Sequence, residues 1–169
     1  MNDKNSASAD LKRLLIKLAV IALGVFLVGH FVLGIHLNHG NQMYPAVRDG
    51  DLLITYKLDS YRTGDVVLFK DPASGKVRIS RIAAKGSCSV GLSESGKLTI
   101  DGYVSGETSF YPTEPLEGSD ISFPYSLKEG ELFLLDDLRT AGKDSRIFGG
   151  MNPDEVLGKV IFVIRRRGI

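Results

Sequence analysis

Few residues in this chain have the type and spacing to do chemistry. Cys88 is its only cysteine, so it cannot form an intramolecular disulfide. His30, His36 and His39 have no cysteine or carboxylate at metal-ligand spacing, and His36 and His39 read as interfacial histidines. No metal site and no cofactor are expected. Ser87, Cys88 and Ser89 read as turn residues on a loop. With 21 basic and 20 acidic residues the formal charge is +1, which argues against nucleic acid as a partner. The remaining polar groups lie in short motifs along the chain, and their meaning depends on the elements that carry them.

One such element is an apolar run over residues 18–37, broken only by His30 and His36. About 20 helical residues rise roughly 30 Å, the thickness of a hydrocarbon core, so the run is expected to anchor the chain in a membrane. Lys4, Lys12, Arg13 and Lys17 precede it and the next basic residue is Arg48, which places residues 1–17 in the cytoplasm and residues 38–169 outside. A cleaved signal peptide is the competing reading. It is disfavoured because the run exceeds an h-region of about 7–15 residues and no small-x-small site follows.

Beyond the anchor the pattern changes to short strand-like runs separated by Gly, Asp, Pro and Ser, so a mainly β, antiparallel domain is expected. The strands are predicted at 52–56, 66–69, 77–83, 98–100, 103–104, 131–135 and 159–164. Asp101-Gly102 suits a two-residue type I′ hairpin turn. Residues 107–126, rich in Pro, Ser, Glu and Gly but carrying Phe110, Tyr111, Phe123 and Tyr125, read as a long ordered loop or small excursion. Its aromatics either pack into the domain core or form an exposed docking patch. The Arg165-Arg166-Arg167 run reads as a solvated strand end, with anionic lipid or cell-wall polymer as the alternative contact.

Five motifs follow one another along this framework. They are Gly40-Asn41-Gln42-Met43-Tyr44-Pro45 with Gly50-Asp51-Leu52; Arg62-x-Gly64-Asp65-Val66-Val67; Val77-Arg78-Ile79-Ser80-Arg81-Ile82; Asp136-Asp137-Leu138-Arg139 with Asp144-Ser145-Arg146; and Leu157-Gly158-Lys159-Val160-Ile161-Phe162. In order and spacing they resemble the boxes of type I signal peptidases. The resemblance covers nearly the whole chain and implies a signal-peptidase-like antiparallel β-barrel or sandwich behind one N-terminal transmembrane helix.

In that family a serine hydroxyl attacks the scissile carbonyl and a lysine kept neutral by burial takes its proton. The position that resembles the nucleophile is Gln42, whose amide is not a nucleophile, and the position that resembles the base is Ser80, whose hydroxyl is no general base near neutral pH. Gly142 stands where the family has a serine that orients the lysine, and Asp136-Asp137-Leu138 stands where it writes Gly-Asp-Asn. A relocated dyad would need Ser80 with Lys57, Lys85 or His39, and the spacing singles out none of them. Asp144 and Arg146 match the last box and are expected to form a structural ion pair.

The family binds its substrate as an extended strand in a groove, so binding is separable from chemistry. The corresponding groove is expected between 40–45 and 77–82, with Gly40, Gln42, Met43, Pro45, Ile79, Ser80 and Arg81 as candidate binding residues. For Met43 and Pro45, plain core packing is the alternative. The resemblance further implies a non-catalytic homologue of the kind encoded with pilins and sortases in Gram-positive bacteria. Such a protein acts as a chaperone-like accessory in pilus assembly, with a pilin or other secreted protein as client and a sortase as a further partner. Two other readings stand beside it: an active signal peptidase with atypical residues, and a module that sequesters signal peptides.

Overall fold

The structure, a computed structural model, describes residues 3–165 apart from Asp59, Thr108, Phe110, Asp120 and Ala141. Phe110 of the excursion and Arg166 and Arg167 of the terminal basic run therefore lie outside the described residues. Leu, Ile, Val and Ala dominate an N-terminal helix, α1 (Asp3–Leu27), which continues through one π-helical turn (Val28–Val32). Within it, Asp10–Val32 is long and apolar enough to cross a membrane: its 23 residues rise about 34 Å and are not buried against the rest of the chain.

The chain turns extended at Leu33 and forms β1 (Leu33–Leu37). The last five residues of the predicted 18–37 anchor are thus a strand. It pairs in full with β2 (Leu52–Tyr56), from Leu33 opposite Tyr56 to Leu37 opposite Leu52. Apolar composition alone does not separate the end of a helix from the start of a strand, and here the ladder to β2 decides.

The strands that follow are β3 (Val66–Lys70), β4 (Val77–Lys85), β5 (Cys88–Leu92), β6 (Leu98–Ile100), β7 (Tyr103–Val104), β8 (Tyr125–Leu127), β9 (Leu132–Leu135) and β10 (Val156–Ile164). They make a six-stranded sheet in the order β1-β2-β10-β3-β4-β9 and a four-stranded sheet in the order β7-β6-β5-β8. Every ladder between these named strands is antiparallel. The β6–β7 hairpin turns through Asp101 (φ 51°) and Gly102 (φ 83°), both left-handed as a type I′ turn requires.

Cys88–Leu92 corrects the expected loop: β5 pairs with both β6 and β8, because Val90 reaches the core and the apolar alternation around it is short but sufficient. The predicted excursion 107–126 likewise ends in β8. Two of its aromatics pack into the domain: Phe123 and Tyr125 lie against Phe133 at ring separations of 6.3 and 5.7 Å, and the Tyr125 hydroxyl accepts from the Gly150 N–H at 2.9 Å.

β9 is the pivot of the fold. Its side chains alternate, so Leu132 and Leu134 join Val67, Phe69, Ile82 and Met151 in one cluster, while Phe133 and Leu135 join Ala83, Val90, Leu98 and Leu127 in another. A strand buried on both faces is fixed in register. Its C-terminal end therefore delivers the next residue, Asp136, to a set place inside the domain. A third cluster, Met43, Val47, Leu53, Leu68 and Ile79, pins the segment that follows β1.

Candidate functional site

That segment, residues 38–51, is tied at both ends. The buried Asn38 amide donates to the carbonyls of Gly40 (2.9 Å) and Arg48 (2.7 Å), and the buried Asp51 carboxylate accepts from the Arg48 N–H at 2.9 Å. Met43, fully buried, is the apolar plug between them, and its sulfur accepts from the Asp137 N–H at 3.5 Å. Next to it the Gln42 carbonyl accepts from the Leu138 N–H at 2.8 Å. The Gln42 side chain folds back over Gly40: a Cβ at Gly40 would stand 2.6 Å from Gln42 Oε1, and Gly40 has φ +93°, so the position excludes larger residues twice over. Gln42 Oε1 is itself buried and accepts no hydrogen bond among the described residues.

Ser80 lies on β4 and is fully buried. Its hydroxyl donates to the carboxylate of Asp136, also fully buried. Asp136 is hemmed in on every side. Its N–H donates to Asp144 Oδ2 at 3.0 Å, and Arg78 Nη2 lies 3.4 Å from its Oδ2. Arg146, 1% exposed, grips Asp144 through Nε and Nη2, both at 2.9 Å, and donates further to the carbonyls of Arg139 and Glu114. Asp144 also caps α2 (Ser145–Phe148) by accepting from the Arg146 N–H.

Burial pushes the Asp136 carboxyl up to about 7, and the charge of Asp144 adds to the rise; the Ser80 hydrogen bond, Arg78 and Arg146 pull the other way. Gly142 completes the enclosure. A Cβ there would meet Arg146 Nη2 and Asp144 Oδ2 at 2.7 Å and Asp136 Oδ2 at 3.3 Å, so the Arg146–Asp144 pair takes most of the room a side chain at 142 would need, with Asp136 close behind.

Two clefts flank this buried cluster. The smaller, about 150 Å³, is lined by His36, Asn38, Gln42, Val77, Arg78 and Ile79. The larger, about 620 Å³, is lined by Pro45, Arg48, Arg81, Glu107, Asp137 and Arg139, among others. In it Arg81 forms a two-pronged pair with Asp137 (2.8 and 2.7 Å) and donates to the Gly64 carbonyl. The hydrogen bonds that Arg81 donates to Asp137 hold it firmly protonated, raising its pKa against the opposing effect of burial. Arg139, 3% exposed, pairs with Glu107 at 2.9 Å and donates to Thr113.

The seven residues expected to form one groove are therefore divided. Gln42 and Ile79 line the smaller cleft, Pro45 and Arg81 the larger, Met43 and Ser80 are core, and Gly40 serves to seat Gln42. Sequence reasoning gave no role to Asp136, Arg139, Glu107 or Asp137. For Asp136 a signal existed: an acid stands in the motif that resembles the family's Gly-Asp-Asn, in the same chain in which Ser80 stands in the motif that resembles its lysine box. Among the described residues no group of three or more His, Cys, Asp or Glu side chains is arranged to hold a metal.

The architecture is that of a signal peptidase domain. The crystal structure of a signal peptidase I from Enterococcus faecalis superimposes with a TM-score of 0.51 at 22% identity, over 61% of this chain and 98% of that one. In sequence the chain is 26% identical over 171 residues to signal peptidase IB of Staphylococcus aureus, covering 90% of this chain and 88% of that protein. It is 24% identical over 156 residues to signal peptidase I T of Bacillus subtilis, covering 86% and 81%. Residues 11–165 match the family model described as signal peptidase, peptidase S26, and the chain belongs to that family.

Proposed function

We propose that this protein is a non-catalytic signal peptidase homologue that holds a secreted client at the outer face of the membrane. The observation that carries the reading is the buried Ser80–Asp136 hydrogen bond. At the position resembling the family's base stands a hydroxyl without solvent access, committed to a carboxylate; at the position resembling its nucleophile stands an amide. A peptidase needs a nucleophile that reaches the scissile carbonyl and a base within hydrogen-bond distance of it. Ser80, sealed from solvent, meets no substrate, which also disfavours it as the centre of an atypical active enzyme.

The anchor is Asp10–Val32, its N-terminus cytoplasmic and the β domain extracytoplasmic, in line with the basic residues Lys12, Arg13 and Lys17 on its leading side. The client is a pilin or another secreted protein, and a sortase works beside it. This assignment rests on the likeness of the emptied active site to signal-peptidase-like accessories of Gram-positive pilus assembly. The smaller cleft at Gln42 and Ile79 is where an extended segment of the client would lie.

The test is co-purification of the full-length protein from native membranes with mass spectrometry of what is bound. The reading expects an uncleaved surface protein, reduced in the Gln42→Ala variant. Signal peptides from many proteins, and no single client, would favour the sequestering module.

A further inference from the structure

We infer that the 620 Å³ cleft is a docking site for an acidic stretch of polypeptide, lying beyond Gln42 on the path an extended client would take. The inference rests on the reading of this chain as a holder of extended peptides and names the chemistry of the segment held.

Four guanidiniums, those of Arg48, Arg81, Arg139 and Arg165, line the cleft against two carboxylates, Glu107 and Asp137. The carboxylates are spent on Arg139 and Arg81. Among the described residues, the guanidinium of Arg48 has only the face of the Tyr44 ring, 5.3 Å away, and that of Arg165 has no partner. The excess positive charge is therefore open to a ligand. A second observation points the same way: Arg139 is 97% buried, lines the cleft, and its Nε donates to nothing among the described residues. A buried donor without an acceptor is costly, which favours added negative charge at this wall of the cleft.

The geometry favours a chain of separated carboxylates over one compact anion. Glu107 and Asp137 repel a doubly charged phosphate, whereas single carboxylates spaced along a peptide can each meet one open arginine while Pro45 and Ala46 take the apolar part. Continuity supports a peptide as well. Ile79 lines the smaller cleft and Arg81 the larger, two residues and about 7 Å apart on the same side of β4. Gln42 and Pro45 bracket the same step on the facing segment. The volume is in the range of roughly 300–1,000 Å³ typical of ligand clefts.

The experiment uses the full-length protein in lipid nanodiscs and two fluorescein-labelled octapeptides, one of alternating Ala and Glu and one of alternating Ala and Gln, with binding read by anisotropy. The acidic peptide should bind about tenfold or more tightly than its neutral twin, and the preference should fade between 0.1 and 1 M salt as the screening length falls from about 10 to 3 Å. Arg48→Gln with Arg165→Gln, both exposed and outside the core, should abolish the preference, while Lys70→Gln, exposed elsewhere, should leave it intact. Equal binding of the two peptides, absence of binding by both, or a preference that survives the double arginine variant would overturn the inference. Displacement by inorganic phosphate at the peptide's own concentration would also overturn it, assigning the cleft to small anions. Cleavage of either peptide would contradict the non-catalytic reading and leave the charge preference standing, so the two failures are separable.

Discussion

The Ser80 hydroxyl and the Asp136 carboxylate are hydrogen-bonded partners with no solvent access, one from the middle of β4 and the other from the position just past the end of β9. In the reading proposed here they are reciprocal: Ser80 stands at the position resembling the family's lysine and Asp136 at the one resembling its glycine.

That reciprocity predicts that the two catalytic residues cannot simply be put back. In Gln42→Ser with Ser80→Lys, the new lysine would face Asp136 and be held charged by it, unable to accept a proton. Cleavage of a signal-peptide substrate by the double variant is expected at background. Adding Asp136→Gly should raise the rate above that of the double variant, since it removes the counter-charge and reopens the space.

Asp136 also predicts a pH dependence of stability. Its carboxyl titrates near 7 in the folded protein and near the ordinary aspartate value of about 4 when unfolded. Between those values the folded state holds a proton that the unfolded state has released, so the contribution of this group to stability is fullest below about pH 4 and falls as pH rises toward 7. The slope from this group is at most about 1.4 kcal/mol per pH unit. Asp136→Asn keeps an acceptor for Ser80 and should flatten the slope, read by urea unfolding of the detergent-solubilised chain from pH 5 to 8.

Arg146 and Asp144 set the floor on which Asp136 rests. Arg146→Met leaves Asp144 as a buried carboxylate without its cation and should cost about 3–5 kcal/mol in the same unfolding measurement. Ser80→Ala removes one donor from Asp136 and should cost about 1–3 kcal/mol.

Topology can be read with a thiol probe, since Cys88 is the chain's only cysteine. With Cys88 replaced by Ser, a cysteine in place of the 81%-exposed Tyr103 should react with a membrane-impermeant maleimide in intact cells. A cysteine in place of Asp10 should react only after lysis. The reverse pattern would place the β domain in the cytoplasm.

Much of the fold was legible because its signals are local. The strands with alternating or wholly apolar runs, such as 52–56 and 131–135, and the Asp101-Gly102 turn follow from side-chain period and backbone preference alone. The boundary at Leu33 was not legible, because it is set by a ladder to β2 in which Leu33 faces Tyr56, 23 positions along the chain. β5 was hidden behind Ser and Cys residues that prefer turns in isolation and are held as strand by two neighbours. Of the site, the positions of Gln42 and Ser80 were legible from the motifs that carry them. What fills the space was not, because the contact between Ser80 and Asp136 spans 56 positions and exists only once both strands lie side by side. The arginine cleft was hidden for the same reason: Arg48, Arg81 and Arg139 meet through tertiary folding, and near-zero net charge conceals a local surplus.

The central claim is that this chain holds a secreted protein and does not cut it. The most direct measurement places the purified full-length protein in proteoliposomes with a model preprotein, beside an active signal peptidase, and follows both retention and cleavage of the preprotein. The account predicts retention of the intact preprotein and no product above the lipid-only control. Cleavage at one defined bond, abolished by Ser80→Ala, would contradict it.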